Sequence, residues 1–156
     1  MVDYLIEIIF KNVAVDEIER LLSDLTSNGQ LILNYYHTLK STDFSWDKEG
    51  SLRKLFTEGK EFGLFVNLKE LNKKGVCLPL CGIAVYKYET EIEVNVNFQL
   101  SDLKAIDSEG LTKKLMKLAK TIATDYKIRE YYCGIDPAQD LNLRLFTNEA
   151  LGPISL

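Results

Sequence analysis

A chain of 156 residues, 46% hydrophobic and 27% charged, has the size and balance of one globular domain spanning 1–156, and this excludes a wholly disordered protein. Its formal net charge is −4 and its lysines are dispersed, which argues against a nucleic-acid partner, since phosphate contacts need clustered Lys and Arg. No stretch is long enough to cross a bilayer and no basic, then apolar leader opens the chain, so a cytoplasmic protein with no membrane partner is expected.

Residues 2–10 alternate: Val2, Tyr4, Ile6, Ile8 and Phe10 point one way, Asp3, Leu5, Glu7 and Ile9 the other. Period two predicts a strand, and its mixed second face suits a central strand only partly covered on that side. Asp16 and Glu19 have the spacing of a helix-opening capping box, and Ile18, Leu21, Leu22 and Leu25 form an apolar helical stripe. Asn28-Gly29 ends that helix, because glycine accepts the left-handed conformation without steric cost. Leu31 to Tyr36 is a second predicted strand.

Residues 38–61 are polar, with a loop at Ser41-Thr42-Asp43 and a short helix from Ser51 through Phe56. Phe62, Leu64, Val66 and Leu68 alternate as a strand, and Asn72-Lys73-Lys74-Gly75 is a turn candidate. Residues 80–88 and 91–98 are joined by Glu89-Thr90 and predict a hairpin. In its second arm Ile92, Val94, Val96 and Phe98 oppose Glu91, Glu93, Asn95 and Asn97, so one face is buried and the other meets water or a partner.

Asp107-Ser108 opens a second long helix with a core stripe of Leu111, Leu115, Leu118 and Ile122. Its Lys113, Lys114, Lys117 and Lys120 read as a solvated face. Arg129 to Ile135 is the last predicted strand, stopped by Pro137, which lacks an N–H for the ladder. The order β-α-β-β-β-β-α-β predicts an α+β fold: a mostly antiparallel sheet with two main helices on one face, resembling an elaborated ferredoxin-like plait.

Catalytic signatures are sparse. His37 is the sole histidine, at a strand end with no motif around it. Cys77 and Cys81 lack the ligand count of a zinc site, and the three cysteines read as buried thiols of a reducing compartment. Neither a base nor an electropositive setting is evident for Cys133. Asp43, Asp47 and Glu49 lack calcium-loop spacing. No phosphate-cradling or nucleophile-elbow glycine pattern is present. These absences remove the easily recognised enzyme classes without excluding an enzyme, and no catalytic residue, metal or cofactor is assigned.

The surface offers more. The sole tryptophan, Trp46, lies in a polar loop beside Asp43 and Asp47, and tryptophan is a frequent interface anchor. Glu91 and Glu93 share a strand face, and if Asp3 and Glu7 lie on the same side the face is acidic and suits a basic partner. Asp43, Trp46, Asp47, Glu91 and Glu93 are the candidate partner-binding residues.

The closing segment, Cys133-Gly134-Ile135-Asp136-Pro137-Ala138-Gln139-Asp140 with Leu145-Phe146-Thr147 and Leu151-Gly152-Pro153, resembles the ends of bacterial immunity proteins of polymorphic toxin systems. The resemblance implies a non-enzyme that binds and neutralises a cognate protein toxin by steric and electrostatic blocking. From the residues alone, the tail is a packed clasp in which Ile135, Leu143, Leu145, Phe146 and Leu151 cover a sheet edge or helix end and Arg144 pairs with Asp136 or Asp140. Two other readings stay open. One is a small-molecule-binding or enzymatic domain using His37, Cys133 and Asp136. The other is a structural or regulatory homo-oligomer, such as a homodimer, pairing through an open sheet face.

Overall fold

The computed structural model describes residues 3–39, 44–58, 60–73, 75–103 and 108–156. Strand β1 (Leu5–Lys11) leads into helix α1 (Val15–Leu25) and strand β2 (Ile32–His37). Helix α2 (Ser51–Thr57) and strand β3 (Phe62–Leu68) follow, then β4 (Glu70–Lys73), β5 (Val76–Pro79), β6 (Gly82–Lys87) and β7 (Ile92–Gln99). The chain continues through helix α3 (Ser108–Asp125), β8 (Glu130–Ile135), β9 (Arg144–Thr147) and β10 (Ala150–Leu151).

Eight strands form one sheet in the order β10-β9-β8-β1-β7-β6-β3-β2, with every neighbouring pair antiparallel. The expected α+β class holds, with two main helices and, as α2, the short helix read from Ser51. The strand order departs from the ferredoxin-like expectation. In that plait one strand separates those joined through each helix. Here β1 alone separates β7 from β8, but β7, β6 and β3 all lie between β1 and β2.

The alternation read from the sequence sets the layers. Ile6, Ile8 and Phe10 of β1, Leu64 and Val66 of β3, and Ile92, Val94, Val96 and Phe98 of β7 all enter one buried cluster. Ile18, Leu21, Leu22 and Leu25 of α1 and Leu111, Leu115, Leu118 and Ile122 of α3 pack into the same cluster, so these helices lie on one face. Leu71, Val76 and Leu78 bring the β4–β5 hairpin to that side as well. That hairpin is built around the turn read at 72–75, and Gly75, at φ +79°, supplies the left-handed residue between its arms.

Helix α1 begins one residue before Asp16, after Ala14, and no side chain caps it, so the predicted capping box does not form. Asp16 and Glu17 instead sit in the first turn, where a carboxylate complements the helix dipole. The helix ends at Leu25, and Thr26 Oγ1 donates to the Leu22 carbonyl at 2.7 Å. Asp107 lies outside the described residues.

The tail is more than a clasp. Leu145 and Phe146 are fully buried, and β9 and β10 extend the sheet beyond β8. Leu151 is exposed, contrary to the expected packing. Arg144 pairs with neither Asp136 nor Asp140. It donates to the carbonyls of Ala138 (3.0 Å) and Gln139 (3.3 Å) and to the Thr147 hydroxyl (3.1 Å), while its guanidinium lies 3.9 Å from the Tyr132 ring centre.

Candidate functional site

On the sheet face away from the helices, strand register lines side chains into transverse rows. One row runs from Glu7 through Asn97, Gly82 and Asn67 to Asn34. The next runs from Ile9 through Asn95, Ala84 and Phe65 to Tyr36. A third sets Glu93 beside Tyr86 and Gly63. Glu7 and Ile9 therefore share this face with Glu93, Asn95 and Asn97, as the alternation predicts.

The face has two halves. Over β1 and β8, Ala138 is fully buried against Ile9 and Tyr132. Its backbone N–H donates to one Glu7 oxygen at 3.1 Å, and Asn95 Nδ2 donates to the other at 2.9 Å. Glu7 is thereby buried rather than offered to a partner. Glu93 is not a free charge either: Lys11 Nζ lies 2.8 Å from its carboxylate. That hydrogen bond, opposed by partial desolvation, raises the Lys11 pKa. The expected acidic face is thus largely satisfied from within.

Over β7, β6, β3 and β2 no other described element covers the face. Gly82 and Ala84 form its floor, and a depression of about 160 Å³ there is bordered by Tyr36, Phe65, Asn67 and Asn97. Tyr36 and Phe65 stack with ring centres 4.8 Å apart, and Phe65 meets Tyr86 edge-on at 5.7 Å. Asn67 Nδ2 donates to Asn34 Oδ1 at 2.7 Å, and Asn97 Nδ2 to Asn95 Oδ1 at 3.3 Å. A Cβ at Gly82 would sit 2.6 Å from Asn97 Oδ1, so the glycine lets that carboxamide lie flat on the floor. Burial, with smaller contributions from Tyr88, Glu93 and Glu7, pushes the Tyr86 hydroxyl pKa up.

The other predicted residues lie elsewhere. Trp46 is half-buried: its ring rests on Gly29 and lies 5.6 Å from Tyr35, and its backbone N–H donates to the Tyr35 hydroxyl oxygen at 3.3 Å. Phe44 completes this aromatic nest, which packs against the helix-side core beside edge strand β2. Asp47 is exposed and borders a depression with Leu33, Asn34 and Trp46. Glu91 is exposed at the start of β7, and its carbonyl accepts the Tyr88 N–H at 2.8 Å. Asp43 lies outside the described residues. Trp46 and Glu93 therefore belong to opposite faces of the sheet and do not form one patch.

The residues of the enzymatic reading do not converge. His37 is on β2 and Cys133 on β8, with β1, β7, β6 and β3 between them. Cys133 is fully buried, and burial pushes its thiol far above the usual range. Asp136 is exposed, and its backbone N–H donates to the Leu5 carbonyl at 2.9 Å. Among the described residues no group of three His, Cys, Asp or Glu is placed to hold a metal ion, and no helix is long and apolar enough to cross a membrane.

Sequence reading missed Tyr36, Phe65, Tyr86, Asn67 and the floor glycine Gly82. The signal lay in the out-of-core positions of β3 and β6, which alternate with the core positions used to recognise those strands.

A shallow, aromatic and carboxamide-lined sheet face whose carboxylates are already partnered has the form of a protein-docking surface. Comparison with known proteins supplies the family. The family model described as PABL017 Cdi1I immunity protein matches residues 4–151, and the chain belongs to that family of bacterial immunity proteins. The resemblance seen in the closing segment thus extends along nearly the whole chain. A crystal structure at 1.75 Å of the toxic C-terminal tip of CdiA from Pseudomonas aeruginosa in complex with immune protein contains a similar chain. The two share 25% identity with a TM-score of 0.77, over 98% of this chain and 99% of that one. No curated protein matches the chain.

Proposed function

We propose that this protein binds a cognate CdiA-type toxin tip and neutralises it by occlusion, through the uncovered face of β7, β6, β3 and β2. The observation that carries this reading is the joint one of family and surface. An immunity family supplies the partner class, and this half-sheet is an aromatic-rich face that none of the described residues covers. Tyr36, Phe65, Tyr86 and Glu93 would form its contact centre, because rigid aromatic side chains desolvate at low entropic cost. Glu91, at the entry to β7, would extend it.

Trp46 and Asp47 would form a second contact region along edge strand β2. The exposed side chains of Leu33 and Tyr36 on that strand favour it. On this proposal the chain performs no catalysis, acts as one domain in the cytoplasm, and needs no cofactor. Its three free cysteines, two of them buried, suit a reducing compartment.

Co-expression tests the reading. The toxin tip encoded beside this chain should arrest growth when expressed alone, and co-expression of this protein should restore growth while the two co-purify. Arrest that persists despite abundant folded protein would defeat it.

A further inference from the structure

The uncovered half of the face has a definite polarity. Asn67 and Asn97 each commit an Nδ2 donor to a neighbouring asparagine, at 2.7 Å and 3.3 Å. Each amide keeps its second N–H, and the Oδ1 atoms take no part in these two bonds; the position of Asn97 Oδ1 over Gly82 puts one such acceptor on the floor of the depression. Three aromatic rings stand beside that floor, with Tyr36 and Phe65 stacked and Phe65 edge-on to Tyr86. The negative faces of such rings attract cations.

The charges farther out on this face are paired within the chain. The carboxylates that act on the Tyr86 hydroxyl are Glu93 and Glu7, and both raise its pKa. The cations of this face are committed elsewhere: Lys11 to Glu93, and Arg144 to the turn at Ala138 and to the Tyr132 ring. Acceptors and π faces therefore line a cavity of about 160 Å³ to which no described residue contributes a cation.

We infer that this depression receives an arginine side chain of the toxin, its guanidinium set against the Tyr36 and Phe65 rings and its N–H groups directed at the Asn97 and Asn67 carboxamide oxygens. The inference rests on the proposed docking face and specifies what enters it. Arginine suits the site better than lysine because a planar guanidinium stacks on rings and offers several donors in a fixed fork.

Substitutions at Tyr36 provide the test, since its 59% exposure allows each to fold. The dissociation constant of the inactivated toxin tip would be measured against wild type, Tyr36→Phe, Tyr36→Glu and Tyr36→Lys, with thermal melts as a folding control. Tyr36→Phe should bind within about threefold of wild type, because the ring face remains. Tyr36→Lys should weaken binding by roughly tenfold or more, and Tyr36→Glu clearly less, because only the first places a like charge beside the guanidinium. Equal losses for Glu and Lys, or no loss for Lys, would overturn the inference.

Arginine-to-alanine substitutions on the toxin provide the second arm. One of them should abolish the difference between the Lys and Glu variants, and if none does the inference fails. A wild-type protein that does not bind the toxin at all would instead defeat the docking reading itself.

Discussion

The backbone N–H of Ala138 donates to the Glu7 carboxylate across 131 residues of chain, joining the closing turn to the first strand. The bond is one link of a relay. Arg144 holds the Ala138 carbonyl, Glu7 takes the Ala138 N–H and the Asn95 amide, and Asn95 takes the Asn97 amide. A tail remote from the uncovered half of the sheet thus sets the posture of the carboxamide on its floor.

Glu7→Ala removes the acceptor from two donors, one of them a buried backbone N–H. A cost of about 1–3 kcal/mol is expected, the usual penalty for a stranded buried group. Urea unfolding measures it directly, and an unchanged midpoint would show that water replaces the carboxylate at no cost.

Gly82→Ala and Gly134→Ala should separate binding from folding. A Cβ at Gly82 meets the end of a side chain, Asn97 Oδ1 at 2.6 Å, whereas a Cβ at Gly134 meets the Leu143 carbonyl oxygen at 2.5 Å. A side chain can swing away and backbone cannot. Gly82→Ala should therefore change stability by less than about 1 kcal/mol while weakening toxin binding, and Gly134→Ala should cost about 1–3 kcal/mol. The reverse ranking would contradict this reading of the two contacts.

Arg144→Met should loosen the turn over Glu7. It removes three hydrogen bonds and the stack on Tyr132 but retains a stem of similar length. The side chain is only half-buried, so about 1–2 kcal/mol is expected rather than the full value for charged hydrogen bonds. Hydrogen exchange at Ala138 should accelerate, and unchanged protection there would count against the relay.

The buried thiols predict an alkaline sensitivity. Burial pushes the Cys81 pKa from 9.0 to about 12, and that of Cys133 higher still. Above pH 9 the unfolded chain releases thiol protons that the native chain retains, so stability falls as pH rises from 9 toward 12. By pH 10 each thiol should account for about 1.4 kcal/mol, which Cys81→Ala should remove from the pH slope. Lys11 adds to the fall at higher pH: its folded pKa lies above 10.5, so its contribution is present below that value and lost as pH rises through the folded pKa. A slope identical in wild type and Cys81→Ala would reject the thiol origin.

Much of the fold was legible because its long elements each bury one continuous stripe. Ile6, Ile8 and Phe10 announce β1, Ile92 through Phe98 announce β7, and the leucines of α1 and α3 mark their inner faces. The β4–β5 hairpin was hidden because its arms are four residues each, too short for a period to declare itself. The strands β9 and β10 are shorter or equal in length and exist through pairing outward from β8, which no local pattern encodes. Glu7 reads as a surface acid because its cover comes from a distant turn. Tyr36, Phe65 and Tyr86 could not be grouped because their meeting depends on β6 and β2 flanking β3, a matter of sheet order rather than of any one segment.

The cover over β1 and β8 also limits the footprint left for a visitor. From β7 across β6 and β3 to β2 are three strand spacings, roughly 14 Å at the usual inter-strand distance. A single helix with its side chains is about 10–12 Å across. The exposed strip is therefore wide enough for one helix or one projecting loop of a toxin, and too narrow for two helices laid side by side.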